Sequence, residues 1–424
     1  MIATLGFTFL LTLLFGVPIA LVIGITSLVT IMVQGMIPLN AIPQYMFVGL
    51  DSFPLLAVPF FILAGELMGR SGISKKLVDF CMVLFGRMPG ALAEVNIGVS
   101  VFFAGITGAA VADTAAVGSI LIPAMKEEGY GAAYSAAVTA ASSCIGPIIP
   151  PSIILVVYGI AANVSIASLL IAGILPGVLL GVCQGVLAYV HAVKYNYPRR
   201  AERFSFMELT QNFVKALPAL IMPLIIVGGI MGGVTTATEA AAVAVAYSLI
   251  VGFINKSIRL KDIPTIIYNS SITTGIVLLV ISTAKLFSIV IVMNQIPTML
   301  TSAFLAVSQN KIVILLMINI LLLIVGMFME ISAACIILAP ILLPVVVGLG
   351  VDPVHFGIIM CVNLAIGLAT PPVGPILYVA CRIAKVSMTE ITIKILPYLG
   401  ASVVALLLVT FIPHISLFLP SILI

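Results

Sequence analysis

The sequence predicts an all-α polytopic membrane protein with about ten transmembrane helices and two re-entrant helical hairpins in an inverted-repeat arrangement. Three observations carry this. Of the 424 residues, 62% are hydrophobic and 8% charged, and the mean hydropathy is +1.34; soluble domains carry about 25% charged residues. Apolar segments recur along the whole chain, and no stretch between them is long enough for a separate soluble domain of roughly 50 residues, so residues 1–424 read as a single membrane domain. Finally, the stretch GPIIPPS (146–152) interrupts an apolar run and has a counterpart 221 residues later.

Residues 2–34 form an apolar run broken by Gly16 and Pro18, either one long tilted helix or two short ones. This run lacks a basic leader and an A-x-A cleavage site, so it reads as a retained membrane segment. A span at about 54–69 follows. In RSGISKKLVDFCMVLFGRMPG (70–90), Arg70, Lys75, Lys76 and Arg87 alternate with apolar residues, as in an arm helix lying in the membrane interface. Residues 1–90 therefore read as scaffold and arm, and 91–167 as a first hairpin with a broken helix. Residues 168–310 read as scaffold with a second arm, 311–385 as a second hairpin with a broken helix, and 386–424 as a C-terminal scaffold helix.

Charge sets the orientation. One loop carries Lys194, Arg199, Arg200, Arg203 and Lys215, and NKSIRLKD (255–262) carries Lys256, Arg259 and Lys261. Two apolar segments, about 217–234 and 239–254, separate them, so both loops lie on one side, the cytoplasmic one by the positive-inside rule. Counting outward, with 91–125 and 312–347 as hairpins that return to the side they entered, places Arg70 to Arg87, Lys126, Arg382, Lys385 and Lys394 inside as well. Only Lys285 and Lys311 fall elsewhere. Basic residues set between apolar segments, and not in a stripe, account for the net charge of +4 by membrane anchoring and argue against nucleic acid as a partner.

Six cysteines scattered through apolar sequence, without CxxC or zinc spacing, read as small buried hydrophobes. Three widely separated histidines and the lack of HExxH and GxSxG remove support for metalloprotease or serine hydrolase chemistry. No nucleophile–base pair stands out, so the chain does not read as an enzyme.

The repeat explains the prolines. GITGAAVADTAAVGSILIPAMKEEGY (105–130) aligns without gaps with GMFMEISAACIILAPILLPVVVGLGV (326–351), and CIGPIIPPS (144–152) with AIGLATPPV (365–373). Apolar identities arise easily by chance. Gly105 with Gly326, Pro123 with Pro344, Gly129 with Gly350, Gly146 with Gly367, and Pro150-Pro151 with Pro371-Pro372 are backbone requirements, and in register they imply two copies of one backbone shape. The charge count gives the two hairpins opposite entrances, the plan of transporters whose ligands bind near the midplane. Carbonyls freed at the breaks then need a cation, because lipid offers them no partner.

Two acids lie near the hairpin tips, Asp113 and Glu330; ionisable groups at membrane depth are costly and usually functional. Asp113 could equally cap or pair a buried donor, and Glu330 sits where a helix dipole would favour it. The hydroxyls of Thr107, Ser142, Ser143, Ser152, Ser332 and Thr370 border the breaks and can coordinate an ion or bond back to their own helices. Thr370 stands out because it precedes a diproline. Thr236-x-x-Glu239 has capping-box spacing, which makes Glu239 a helix cap. Glu66 and Glu94 fall near expected interfaces, where a solvated role suits them.

These residues resemble the large membrane subunit of TRAP transporters, the tripartite ATP-independent periplasmic family. The resemblance covers essentially the whole chain and is most specific at 105–125, GVTTATEAAAVAVAY (233–247), MEISAACIILAPILLPV (329–345) and GVDPVHFGIIMCVNLAIGLATPPVG (350–374). It implies a sodium-coupled importer of organic acids in the bacterial inner membrane. A small four-helix membrane subunit and a periplasmic binding protein would be its partners, and a moving core would slide against a scaffold. It implies two or more sodium ions and no organic cofactor or transition metal. One site would use Gly105, Thr107 and Gly108 with Ser143, Gly146, Ile149 and Pro150; a second would use Gly326 and Met329 with Gly367, Thr370 and Pro371. Substrate would sit between them near Asp113, Ser152, Thr370 and Glu330; apart from the resemblance, Lys285 and the hydroxyls are candidates to pair its carboxylate. Since some family members fuse the small subunit ahead of the large one and this sequence begins with the large-subunit segment, the small subunit is expected as a separate chain. The whole sequence looks most similar to the sialic-acid branch, with C4-dicarboxylates or other carboxylates as further substrates. Two other readings fit the same segments: a stand-alone divalent-anion sodium symporter, and a scaffold or channel subunit without coupled transport.

Overall fold

A computed structural model of the protein describes residues 2–35, 37–199 and 205–423; Arg200 and Arg203 lie outside the described residues. Among the described residues the regular structure is entirely helical. The first run is two helices, α1 (Ile2–Leu14) and α2 (Ile19–Gln34), because Gly16 turns with φ +70° and Pro18 holds an extended backbone. A short α3 (Ile42–Val48) leads to α4 (Ala57–Arg70) and the arm helix α5 (Ile73–Phe85). Leu77, Phe80 and Cys81 of α5 are buried.

The first repeat is α6 (Ala91–Thr107), α7 (Ala110–Glu127), α8 (Ala132–Ser143) and α9 (Ile153–Ala162). It is followed by α10 (Ile166–Ala172), α11 (Ile174–Tyr195), α12 (Phe206–Met231), α13 (Ala237–Ile254), α14 (Ile263–Met293) and α15 (Ile296–Val307). The second repeat is α16 (Lys311–Phe328), α17 (Ile331–Gly348), α18 (Pro353–Gly367) and α19 (Pro375–Ala384), and α20 (Met388–Phe411) and α21 (His414–Leu423) close the chain. Thr236 and Glu239 form the expected capping box at the start of α13. Eight helices among the described residues are long and apolar enough to cross a membrane, α16 and α17 among them, so helix length by itself does not decide whether that pair returns to the side it entered.

The two repeats share more than element order. α7 packs on α19 and α17 packs on α9, which is one contact with the halves exchanged. Both diproline peptide bonds, Pro150–Pro151 and Pro371–Pro372, are cis. The broken helices lie at the centre: nearly every residue of α8 and α18 is buried. Around them α4, α13, α14 and α2 form a second packed group. The basic segments after α4 and after α13 share one end of the molecule, where Lys76 donates to Asn255 Oδ1 at 2.7 Å and Asn255 donates to the Ser71 carbonyl at 3.2 Å.

Glu94 departs from the sequence expectation. It is buried, with Oε1 unpartnered, and not solvated. The reason is tertiary: α5 and α11 pack over the first turns of α6 and take that end out of water.

Candidate functional site

Each hairpin tip meets its own broken helix backbone to backbone. Gly108 ends α6 with φ +60°, and a β-carbon there would lie 2.1 Å from the Pro151 carbonyl oxygen; one on Gly105 would lie 2.5 Å from Pro223 and 3.5 Å from the Pro150 oxygen. A β-carbon on Gly146 would lie 3.5 Å from the Ala109 carbonyl carbon across the same gap. In the second half a β-carbon on Gly367 would lie 2.6 Å from the Gly326 backbone. Of the matched glycines, Gly105, Gly326 and Gly367 lie where two segments touch with little room for a side chain, whereas Gly129 and Gly350 have open space around them.

At the first break the chain leaves the helix for nine residues, 144–152. No described backbone N–H donates to the carbonyls of Gly146, Ile148, Ile149, Pro150 or Pro151. Ser152 caps α9, accepting from Leu155 N at 3.2 Å and donating to the Pro147 carbonyl. The side chain of Ile149 packs against Gly177 of α11. Asp113, one turn into α7, is fully buried, and neither carboxylate oxygen has a hydrogen-bond partner. Ser100 and Ser143 are the hydroxyls facing it. Both donate elsewhere, Ser100 to Ser142 Oγ at 3.0 Å and Ser143 to the Thr139 carbonyl at 2.8 Å. Thr107 Oγ1 is also buried without a partner. A carboxylate held this way in a low-dielectric interior, beside hydroxyls that donate elsewhere, suits a cation and not an anion.

The second break is more open. Thr370 and Pro371 are half-buried, Pro372 and Val373 are exposed, and no described N–H donates to the carbonyls from Leu368 to Val373. Thr370 donates back to the Ile366 carbonyl at 2.8 Å. Met329 is extended at the tip. Glu330 is exposed and caps α17, accepting from Ala333 N at 2.9 Å and from Ser332 Oγ at 3.0 Å. Backbone approaches join Gly105 and Gly108 to the first break and Gly326 to Gly367, while Asp113, Ser152 and Glu330 line neither of the two cavities that α14 borders. Ser152 and Glu330 have local capping partners.

Sequence reasoning missed the cavity beside the first tip. A space of ≈ 470 Å³ lies between α6–α7 on one side and α4 and α14 on the other, lined by Thr107, Glu66, Arg70, Asn269, Ser270 and Thr273. Arg70 pairs with Glu66 at 2.8 Å, and Asn269 donates to Glu66 Oε1 at 3.5 Å. Ser270 Oγ is buried and unpartnered. The cavity lies toward the end of the molecule that carries the basic segments, where α4 ends and α14 begins. A polar cluster in the first turns of α14, YNSSITT (268–274), was the available signal.

The family model described as "Tripartite ATP-independent periplasmic transporter, DctM component" matches residues 7–415. The chain belongs to this family. It is 43% identical to the uncharacterised protein YgiK of Salmonella typhimurium, over 98% of this chain and 96% of that one. It is 42% identical to the isethionate TRAP transporter permease protein DctMQ of Oleidesulfovibrio alaskensis, over 97% of this chain and 65% of that one. The sialic acid TRAP transporter large permease protein SiaM of Vibrio cholerae is 37% identical over 96% and 95%. Resemblance to the sialic-acid relative is thus no stronger than to the isethionate one. Among solved structures, the YdaH transporter of Alcanivorax borkumensis superposes with a TM-score of 0.64 at 15% identity, covering 86% of each chain, a likeness of fold. This DctM-family chain is a multi-pass transporter permease component and not an enzyme.

Proposed function

We propose that this DctM-family chain imports an organic acid through the bacterial inner membrane by sodium symport. A small membrane subunit and a periplasmic binding protein that delivers the substrate complete the system. The observation that carries the reading is Asp113: fully buried, both oxygens unpartnered, beside a nine-residue helix break whose carbonyls accept no described backbone hydrogen bond. A buried carboxylate in that setting calls for a counter-charge. Asp113 therefore belongs with Ser143 and the Gly146–Pro151 carbonyls on the cation side of the mechanism, and not with the substrate. The second cation lies between Gly326–Met329 and Gly367–Pro371.

Substrate occupies the cavity between the first tip and α4–α14, where Thr107, Asn269, Ser270 and Thr273 supply hydrogen bonds and Arg70 an anion partner. Cations at the two tips offset the charge of an incoming acid and tie hairpins to broken helices, so the core crosses fully loaded. In this arrangement the cavity lies toward the basic, cytoplasmic end. The substrate class is a small carboxylate or sulfonate, sialic acid and C4-dicarboxylates included.

The deciding experiment reconstitutes the chain with both partners in liposomes and measures uptake of isethionate, succinate and N-acetylneuraminate against imposed sodium gradients. Sodium-driven accumulation that requires the binding protein is expected. Uptake by this chain alone would favour a stand-alone symporter, and sodium-independent flux would favour a channel.

A further inference from the structure

Two lysines, Lys285 and Lys311, fall outside the cytoplasmic charge pattern. Lys311 donates to the Gly350 carbonyl at 3.1 Å. Lys285 has no acidic or hydrogen-bonding partner among the described residues. It lies in α14, 15 residues beyond Ser270 and so about 22 Å further along the same helix. There it lines a second cavity, of ≈ 210 Å³, with Ser52 and Ser288 beside it and the apolar Val157 and Ile160 of α9 and Ile336 of α17 opposite. The place is built to hold that side chain: a β-carbon on Gly49 would lie 2.8 Å from Lys285 Cβ, and Ser282 Oγ donates to the Met46 carbonyl at 3.0 Å, tying α3 to α14 one turn earlier.

The Lys285 side chain is exposed where it lines this cavity and has no acidic partner among the described residues, so its ammonium is accessible to an anion entering from that side. α14 thus lines two cavities, one at each end, and α9 lines both, through Ile153 in the first and Val157 and Ile160 in the second. We infer that Lys285 is an anion-holding residue on the non-cytoplasmic side, binding the carboxylate or sulfonate group of the substrate when the core stands at the far end of α14. The inference rests on the import reading above and adds the residue that captures the substrate's charge before the crossing.

Purified chain with its small subunit serves two measurements. In proteoliposomes supplied with the binding protein, Lys285→Gln is expected to raise KM for the transported anion about tenfold, equivalent to about 1.4 kcal/mol, with maximal rate little changed, and Lys285→Arg to stay near wild type. Lys285→Cys should regain low KM after positively charged aminoethyl methanethiosulfonate but not after the negatively charged sulfonatoethyl reagent. An unmoved KM in Lys285→Gln, or equal rescue by both reagents, would overturn the assignment. The second measurement does not depend on transport: isethionate, succinate and N-acetylneuraminate are tested for thermal stabilisation. If the wild type moves none of the three anions, the import reading fails. The anion site then stands if one of them stabilises wild type but not Lys285→Gln, and falls if none does.

Discussion

The first and second hairpin–break units share one backbone design and differ in chemistry. Both press a glycine of the tip against the break, Gly108 on Pro151 and Gly326 on Gly367, and both leave a run of carbonyls without described N–H donors. The first unit encloses an unpartnered carboxylate, Asp113, and its break is almost wholly buried; the second is neutral inside, keeps its acid Glu330 outside as a cap, and exposes Pro372 and Val373. On the proposed reading the difference teaches that the repeat sets where ions sit, while single side chains added to one copy set how strongly each site holds charge. The first unit is closed around a carboxylate, and the second offers carbonyls and is more exposed.

The largest effect expected from breaking this asymmetry is at Asp113. Asp113→Asn should lower sodium-driven uptake at least about a hundredfold, or about 2.7 kcal/mol, in protein that still purifies as a monodisperse complex; retained uptake would erase the distinction between the units. Next come the glycine contacts. Gly108→Ala adds a β-carbon to a left-handed residue against a carbonyl, and Gly367→Ala adds one against the Gly326 backbone, so each should destabilise by about 1–3 kcal/mol in thermal unfolding. The Gly108 variant should lose more sodium affinity because its site is the closed one.

Sodium itself sharpens the comparison. Raising sodium should increase the melting temperature of wild type through linkage. Asp113→Asn should keep only a residual shift from the second unit, read by titrating sodium against potassium. Thr107→Val should raise KM about five- to tenfold, since its unpartnered hydroxyl borders the cavity, whereas Thr370→Ala should stay within about threefold, because its hydroxyl already bonds its own helix. Smallest is Glu330→Gln, which retains an acceptor for the cap and should cost about 0.5 kcal/mol with uptake within about twofold.

Much of this was legible before any coordinates. Gly and Pro in register at an offset of 221 residues announced the paired breaks, because those residues constrain the backbone wherever they stand. Thr236–Glu239 read directly as a cap, since both partners lie within one turn. Less legible were contacts between distant segments. Glu94 looked solvated by its place in the chain, and only α5 and α11 folding over it bury it. Ser152 and Thr370 could serve an ion or bond back locally, and the structure gives each a partner within five residues. Ser270 and Asn269 drew no notice, because nothing local shows that the start of α14 faces the first tip.

The sequence by itself determined the membrane class, the two broken helices and the family, all of which depend on composition, local backbone constraint or order along the chain. Only the tertiary structure decided that Asp113 is buried without a partner, that Glu330 is a cap, and that α14 lines a cavity at each end. Those facts depend on which surfaces meet across hundreds of residues, and apolar helices of similar composition pack in many ways until small residues such as Gly108, Gly326 and Gly367 select one.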